Sequence, residues 1–253
     1  MRRIKLIVAY DGTEYSGWQI QPEAPTIEMY LDKAIHELTG ENVHVTGASR
    51  TDAGVHAYGN VAVFDTESTI PGDRFTFALN RFLPDSIVIQ DSWEVSGDFH
   101  PRHCNTRKTY EYRILNTAVP LPQKRNFTWH VAGSIDIDKM REAAAYIVGE
   151  HDFKSFCCVR TQAESTVRTI YSLEVRQEGS EIIIRIKGNG FLYNMVRIIT
   201  GTLIQVGKGR FKPEYVKQML EAKDRTVAGQ TAPPQGLTLV SIEYVDNDDA
   251  RVV

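Results

Sequence analysis

Apolar positions along the chain follow two periods, and the alternation between them predicts the elements. Residues 4–10, Ile4-Lys5-Leu6-Ile7-Val8-Ala9-Tyr10, form an apolar run that predicts a strand ended by Asp11-Gly12. Ile27, Leu31, Ala34, Ile35 and Leu38 recur at helical spacing between Pro25-Thr26 and Gly40, which predicts a helix with both ends marked. Short β-like runs at 43–48 and 59–65 flank a polar gap. A helix is predicted over 71–82, with Pro71 near its start, and a strand over 86–95.

The second half repeats this mixture. Over 107–116 the chain alternates, with Tyr110, Tyr112 and Ile114 on one face and Glu111 and Arg113 on the other. Ile137, Met140, Ala144, Ile147 and Val148 mark a helix closed by Gly149. Strands at 167–177 and 181–188 read as a hairpin turned by Glu178-Gly179. Phe191, Met195, Ile198, Ile199, Thr202 and Val206 predict the buried stripe of a helix over 190–206. Another helix starts at Lys212-Pro213-Glu214, with Pro where a first turn tolerates it, and residues 237–245 predict a last strand. Hairpins and helices in two comparable sets favour an α+β fold with antiparallel or mixed sheets over a doubly wound parallel sheet. We expect two α/β lobes, residues 1–105 and 106–253, without a residue-level repeat.

Composition changes this picture little. The chain has 253 residues, 42% apolar and 24% charged, as in ordinary globular proteins. No run approaches the length of a membrane span. Met1-Arg2-Arg3 is basic, but the apolar run after it is too short for a signal peptide and has no small-residue cleavage site. Cys104, Cys157 and Cys158 are odd in number and include an adjacent pair, so they form no disulfide framework. They read as reduced thiols, and the expected setting is cytoplasmic.

Charge adds more through its distribution than through its net value of −3. Residues 101–130 hold Arg102, Arg107, Lys108, Arg113, Lys124 and Arg125 against the single acidic Glu111. The C-terminal end is the opposite, with Asp246, Asp248 and Asp249 against Arg251. The basic segment is either a solvated face or a local phosphate-binding stripe on an otherwise acidic protein.

The gap between the runs at 43–48 and 59–65 carries the chemistry. Gly47-Ala48-Ser49-Arg50-Thr51-Asp52-Ala53-Gly54-Val55-His56-Ala57 sets one carboxylate among small residues, two positions from an arginine. Asp-Ala-Gly is ordinary turn chemistry, but nothing bulky guards Asp52. Arg50 and His56 would favour an ionised carboxylate able to act as base or nucleophile.

Other candidates have equally ordinary alternatives. Tyr110 is either a packed strand aromatic or a platform for a base beside Arg107 and Lys108. Arg197 lies off the apolar stripe of its helix, on a face shared with Asn194 and Gly201. It is either solvated or a partner for a carboxylate. The loop Tyr10–Gln19 is either a plain turn or a stacking contact for a polymer. His100-Pro101-Arg102-His103-Cys104 lacks a second ligand pair at zinc-site spacing, so no metal is expected. Gly188-Asn189-Gly190 lacks the rest of a phosphate loop.

Taken together, these motifs resemble the tRNA pseudouridine synthase A family. The Arg50-Thr51-Asp52-Ala53-Gly54-Val55-His56 core is similar to the family's catalytic loop. Tyr10-Asp11-Gly12 with Gly17-Trp18-Gln19-Ile20-Gln21 resembles its N-terminal loop. Asp98-Phe99-His100 with Arg102, then Lys108-Thr109-Tyr110-Glu111-Tyr112, resembles its middle motif, and Phe191 to Arg197 its third. Ala222-Lys223-Asp224-Arg225-Thr226 with Gly236-Leu237 resembles its C-terminal signature.

The resemblance implies two α/β lobes around an active-site cleft, a homodimer and no cofactor. It implies isomerisation of uridine in the tRNA anticodon stem-loop, at tRNA positions 38, 39 and 40. Asp52 would be the catalytic aspartate. Tyr110 would stack on the target uracil and move a proton at C5. Arg197 would pair with Asp52, and Arg50 would order the loop and the RNA. The basic residues Arg107 and Lys108 are the expected further RNA contacts, and no membrane partner is implied. A carboxylate could attack C1′ or take a proton from C2′, and both routes stay open. A non-catalytic RNA-binding protein on the same scaffold would share the basic and aromatic residues without needing Asp52 or Arg197. A glycosidase would ask for a second carboxylate, for which Asp11 is the only loop candidate.

Overall fold

The computed structural model describes residues 1–158 and 163–245. The acidic C-terminal residues Asp246, Asp248 and Asp249, with Arg251, lie outside them. The chain divides into two units. One comprises Met1–Asn105 and the segment that begins at Thr238; the other is Thr106–Leu237. The last strand therefore belongs with the first unit and not with the C-terminal lobe.

In the first unit, β1 (Arg2–Tyr10) pairs antiparallel with β3 (His56–Thr66) and β4 (Ile87–Val95). Strand β10 (Leu237–Tyr244) runs parallel to β3, with Thr238 opposite His56 and Leu239 opposite Ala57. Of the run at 43–48, only β2 (Thr46–Gly47) pairs. Helix α1 (Ile27–Thr39) has the predicted ends. Thr26 Oγ1 caps the Met29 N–H, and Gly40 closes the helix at φ 77°. Its apolar stripe, Ile27, Leu31, Ala34 and Ile35, is buried.

The helix predicted over 71–82 is broken into a 3₁₀ turn, Gly72–Arg74, and a short α2, Phe75–Leu79. Side-chain bonds to β4 replace helical ones. Ser92 Oγ donates to Gly72 O and accepts from Thr76 N–H, and Asn80 exchanges two bonds with the Ile89 backbone. Phe75 meets Phe64 of β3 edge-on, so α2 packs on that side of the sheet. The opposite side carries a smaller cluster of Ile7, Ala48, Val61 and Trp93. Beside it the buried Lys5 ammonium lies 4.7–4.9 Å from the rings of Trp93, Phe99 and Tyr244.

In the second unit the strand order is β5 (Thr106–Leu115), β9 (Glu181–Gly188), β8 (Val167–Glu178) and β7 (Gly149–Asp152), all antiparallel. Strand β6 (Trp129–His130) runs parallel to β5. Tyr110, Tyr112 and Ile114 lie opposite Ile186, Ile184 and Ile182, so the predicted alternation builds an isoleucine-rich core. Helix α3 (Ile137–Ala145) ends before Gly149, which instead opens β7 at φ 112°. Strand β7 escapes prediction because Gly-Glu-His-Asp carries no apolar alternation.

Helix α4 (Met195–Gly207) starts five residues later than its pattern suggests. Asn194 adopts a left-handed conformation (φ 63°) that breaks the helix there. Helix α5 is Tyr215–Ala222. Among the described residues, no helix is long and apolar enough to cross a membrane.

Candidate active site

In the first unit, Asp52 sits in a loop whose backbone is tied to the structure behind it. Ala48 N–H donates to Val61 O at 2.7 Å, continuing from β2. Asn60, fully buried, accepts from Ser49 N–H at 3.2 Å and donates to Ser49 O at 2.9 Å. The Tyr10 hydroxyl and Thr51 Oγ1 are 2.7 Å apart, and Trp18 N–H donates to Thr51 O at 3.0 Å. Asp52 then opens a turn closed by Val55 N–H to Asp52 O at 3.1 Å, with Gly54 at φ 77°.

Glycines make this tight approach possible. A Cβ on Gly47 would fall 2.3 Å from the Trp18 indole, and one on Gly17 would fall 2.7 Å from Thr51 O. The aromatics of the Tyr10–Gln19 loop are thus a foundation and not a stacking surface. Trp18 is 1% exposed, Tyr10 and Tyr15 are buried, and the Tyr15 hydroxyl binds Ser86 Oγ. The His56 ring belongs to the same foundation. Its Nδ1 lies 3.0 Å from Gly12 N–H and 3.2 Å from Asp11 Oδ1.

Arg50 is exposed. It shares its surroundings with Arg102 and Glu28, a grouping that spacing does not reveal. Partial burial and the like charge of Arg50 lower the Arg102 guanidinium, while Glu28 raises it. Burial raises the Glu28 carboxyl, against the pull of the Ile20 N–H at 2.9 Å and of both arginines. Two arginines from separate motifs thus lie within electrostatic reach of one carboxylate.

In the second unit, β5 positions Tyr110, which is 8% exposed, and its ring and that of Phe191 pack edge to face with centroids 5.2 Å apart. Phe191 lies in the loop before α4 and not on the helix. Arg197 occupies the first turn of α4. The face it shares with Asn194 and Gly201 is partly covered: Gly201 is buried, and Arg197 and Asn194 are half-buried. Arg197 Nε donates to Ala232 O at 2.7 Å, Nη1 donates to Asn194 Oδ1 at 2.8 Å, and its own carbonyl accepts from Ala232 N–H. A cation in a first turn opposes the helix dipole, so the side chain is held where an anion would be favoured. Burial pushes the nearby Tyr112 phenol up, while the Arg197 charge opposes that shift.

The basic segment does not act as one stripe. Arg113 binds Glu111 at 2.7 Å and Glu181 at 2.9 Å, and Lys124 also pairs with Glu181. Arg107 is exposed and lies over the Tyr171 ring at 5.2 Å, and Lys108 lies next to it on β5. The His100 and His103 rings stack at 3.8 Å. Among the described residues, no group of three His, Cys, Asp or Glu side chains is placed to hold a metal ion.

Residues 6–103 and 143–245 match the sequence model described as tRNA pseudouridine synthase. The chain belongs to the tRNA pseudouridine synthase family. It is 51% identical over 245 residues to tRNA pseudouridine synthase A of Ruminiclostridium cellulolyticum, spanning 96% of this chain and 100% of that one. The proteins of that name from Acetivibrio thermocellus and a Thermoanaerobacter species are 49% and 48% identical over 244 residues, with the same coverage. A chain of a solved Cbf5-Nop10-Gar1 complex is far more distant, at 13% identity and a TM-score of 0.37 over 95% of this chain and 59% of that one. Membership makes this protein an isomerase of the pseudouridine-forming type with an α+β fold.

Proposed function

We propose that the protein isomerises uridine to pseudouridine in the anticodon stem-loop of tRNA, at tRNA positions 38, 39 and 40, as a cytoplasmic homodimer without a cofactor. The observation that carries the proposal is the Asp52 loop, whose backbone is fixed by Asn60, Tyr10 and Trp18 and which sets a half-buried carboxylate among the small residues Thr51, Ala53 and Gly54. Such preorganisation suits a group that must meet a reacting atom in one geometry. The bond from N1 to C1′ breaks, the uracil turns, and C5 joins C1′. The C5 proton leaves and N1 regains one, so the reaction needs no external donor.

In this reading Asp52 is the catalytic residue, attacking C1′ or removing the C2′ proton. Tyr110 stacks on the uracil, which must leave its helical stack, and moves the C5 proton. Arg197 pairs with the Asp52 carboxylate as a fixed guanidinium. Arg50, Arg107 and Lys108 contact the RNA.

The test is tritium release from tRNA transcripts labelled at uridine C5, with wild type and Asp52→Asn compared at equal tRNA binding. Release by wild type alone supports the proposal. Binding without release by either protein would replace it with a non-catalytic RNA-binding role. Free uracil as product would point to a glycosidase.

A further inference from the structure

The C-terminal signature leads into a stretch that supplies no residue to the chemistry above, yet it is held with unusual closeness inside the second unit. Residues 228–236 run between α4 and β5. On the α4 side, Gly229 N–H donates to Thr202 Oγ1 at 2.9 Å, and Thr202 Oγ1 donates to Ile198 O at 2.8 Å. A Cβ on Gly201 would fall 1.8 Å from Gln230 O, and one on Gly229 would fall 2.6 Å from the Thr202 backbone. Ala232 then exchanges two bonds with Arg197, its carbonyl accepting from the guanidinium and its N–H donating to the arginine carbonyl.

On the β5 side, the Tyr112 hydroxyl donates to Pro233 O at 2.7 Å, and a Cβ on Gly236 would fall 2.6 Å from the Tyr112 ring. Tyr112 is two residues from Tyr110 on the same strand. Arg225 anchors the stretch, donating to Ala228 O at its start at 3.5 Å and to Thr231 Oγ1 at 3.2 Å.

Contacts of this kind have little compliance. Backbone meets backbone where the glycines lack side chains, so neither partner yields by changing rotamer. Thr202 is fully buried, and a slip of one residue would leave Gly229 N–H unpaired in the interior. The same stretch carries the carbonyl that holds Arg197 and the carbonyl that holds the Tyr110 strand.

We infer that Gly201, Thr202 and Gly229 are positioning residues for the reaction, because they lock residues 228–236 against α4 as a splint that aims Arg197. The inference rests on the proposed role of Arg197. Gly201→Ala perturbs this lock most but can unfold the unit, so the deciding variant is the near-isosteric Thr202→Val, with Thr202→Ser as the conservative control. The readouts are the single-turnover isomerisation rate, tRNA affinity and melting temperature, each in wild-type and Arg197→Ala backgrounds.

Thr202→Val is expected to slow isomerisation about 10- to 100-fold while tRNA affinity holds within about twofold. Thr202→Ser restores the rate. In the Arg197→Ala background, Thr202→Val changes the rate by less than about twofold, because its route of action is already gone. An equal loss in both backgrounds, or no loss in the wild-type background, overturns the inference. Full activity of Arg197→Ala alone would instead refute the proposed role of Arg197.

Discussion

Gly12→Ala tests whether the Asp52 loop depends on the strand end beneath it. The added methyl would stand 2.0 Å from Val55 O and 2.6 Å from its carbonyl carbon. A comfortable carbon–oxygen contact is about 3.3 Å, so the carbonyl must retreat by more than about 1 Å. It has no free direction, because the Val55 side chain is buried and its N–H is bonded to Asp52 O. The displacement therefore passes to Asp52. Overpacking of this kind costs about 1–3 kcal/mol. At about 2–4 °C per kcal/mol, melting should fall by roughly 2–12 °C. Shifting a reacting group by about 1 Å should slow the reaction by about 100-fold. Melting and single-turnover tritium release are measured on the same preparation, with Gly97→Ala as control because nothing lies within 4 Å of its new Cβ. A lower melting temperature with a full rate would show that Asp52 is not positioned through Val55. No change in either would refute the packing argument itself.

Arg3 grips Asp65 through two bonds of 2.7 Å and holds its carboxyl below the usual range. A depressed carboxyl stabilises the fold at neutral pH and loses that contribution as pH falls below about 4, so the melting gap between wild type and Asp65→Asn should shrink from about pH 6 to about pH 3. A constant gap would exclude the ion pair as its source. Buried Glu111 is contacted by Arg113, Arg176 and Arg185 at 2.7, 3.4 and 3.7 Å. Glu111→Gln should cost about 1–3 kcal/mol in urea unfolding, because three partly exposed cations lose their common anion. A cost under about 0.5 kcal/mol would mean that solvent already screens them. Arg107→Ala and Lys108→Ala should each lower the salt dependence of tRNA binding by about one ion. An unchanged slope would remove that residue from the RNA footprint.

The elements legible in the sequence are those whose own residues carry the signal. Helix α1 has a capping threonine, an apolar stripe and a terminal glycine, and the structure uses all three. Strand β5 alternates because one face packs against the isoleucines of β9. Elements determined by their neighbours are not legible. Strand β7 is polar and exists through its pairing with β8. The 71–82 segment has the right apolar residues, but Ser92 and Asn80 divert its backbone onto β4. The basic residues of 101–130 look like one stripe only until Glu181, some fifty residues later in the chain, claims two of them.

The site divides the same way. Asp52 stands out because small residues surround it, and that is a local property. Its support comes from Tyr10, Trp18 and Asn60, which meet it through a hydroxyl, a backbone N–H and a side-chain amide that leave no hydropathy pattern. Arg197 is the sharper case. Its helix face looks open because periodicity registers only apolar side chains, whereas its cover is the backbone of residues 228–232. A cover made of backbone demands glycine on both sides, and Gly201 and Gly229 are its trace in the sequence. Glycines beside a helix arginine therefore carry information that hydropathy discards. They mark where a main chain comes close enough to hold a charged side chain by its carbonyl oxygen. At Arg197 that hold offsets a cation placed against the helix dipole, an arrangement that packing alone would not favour.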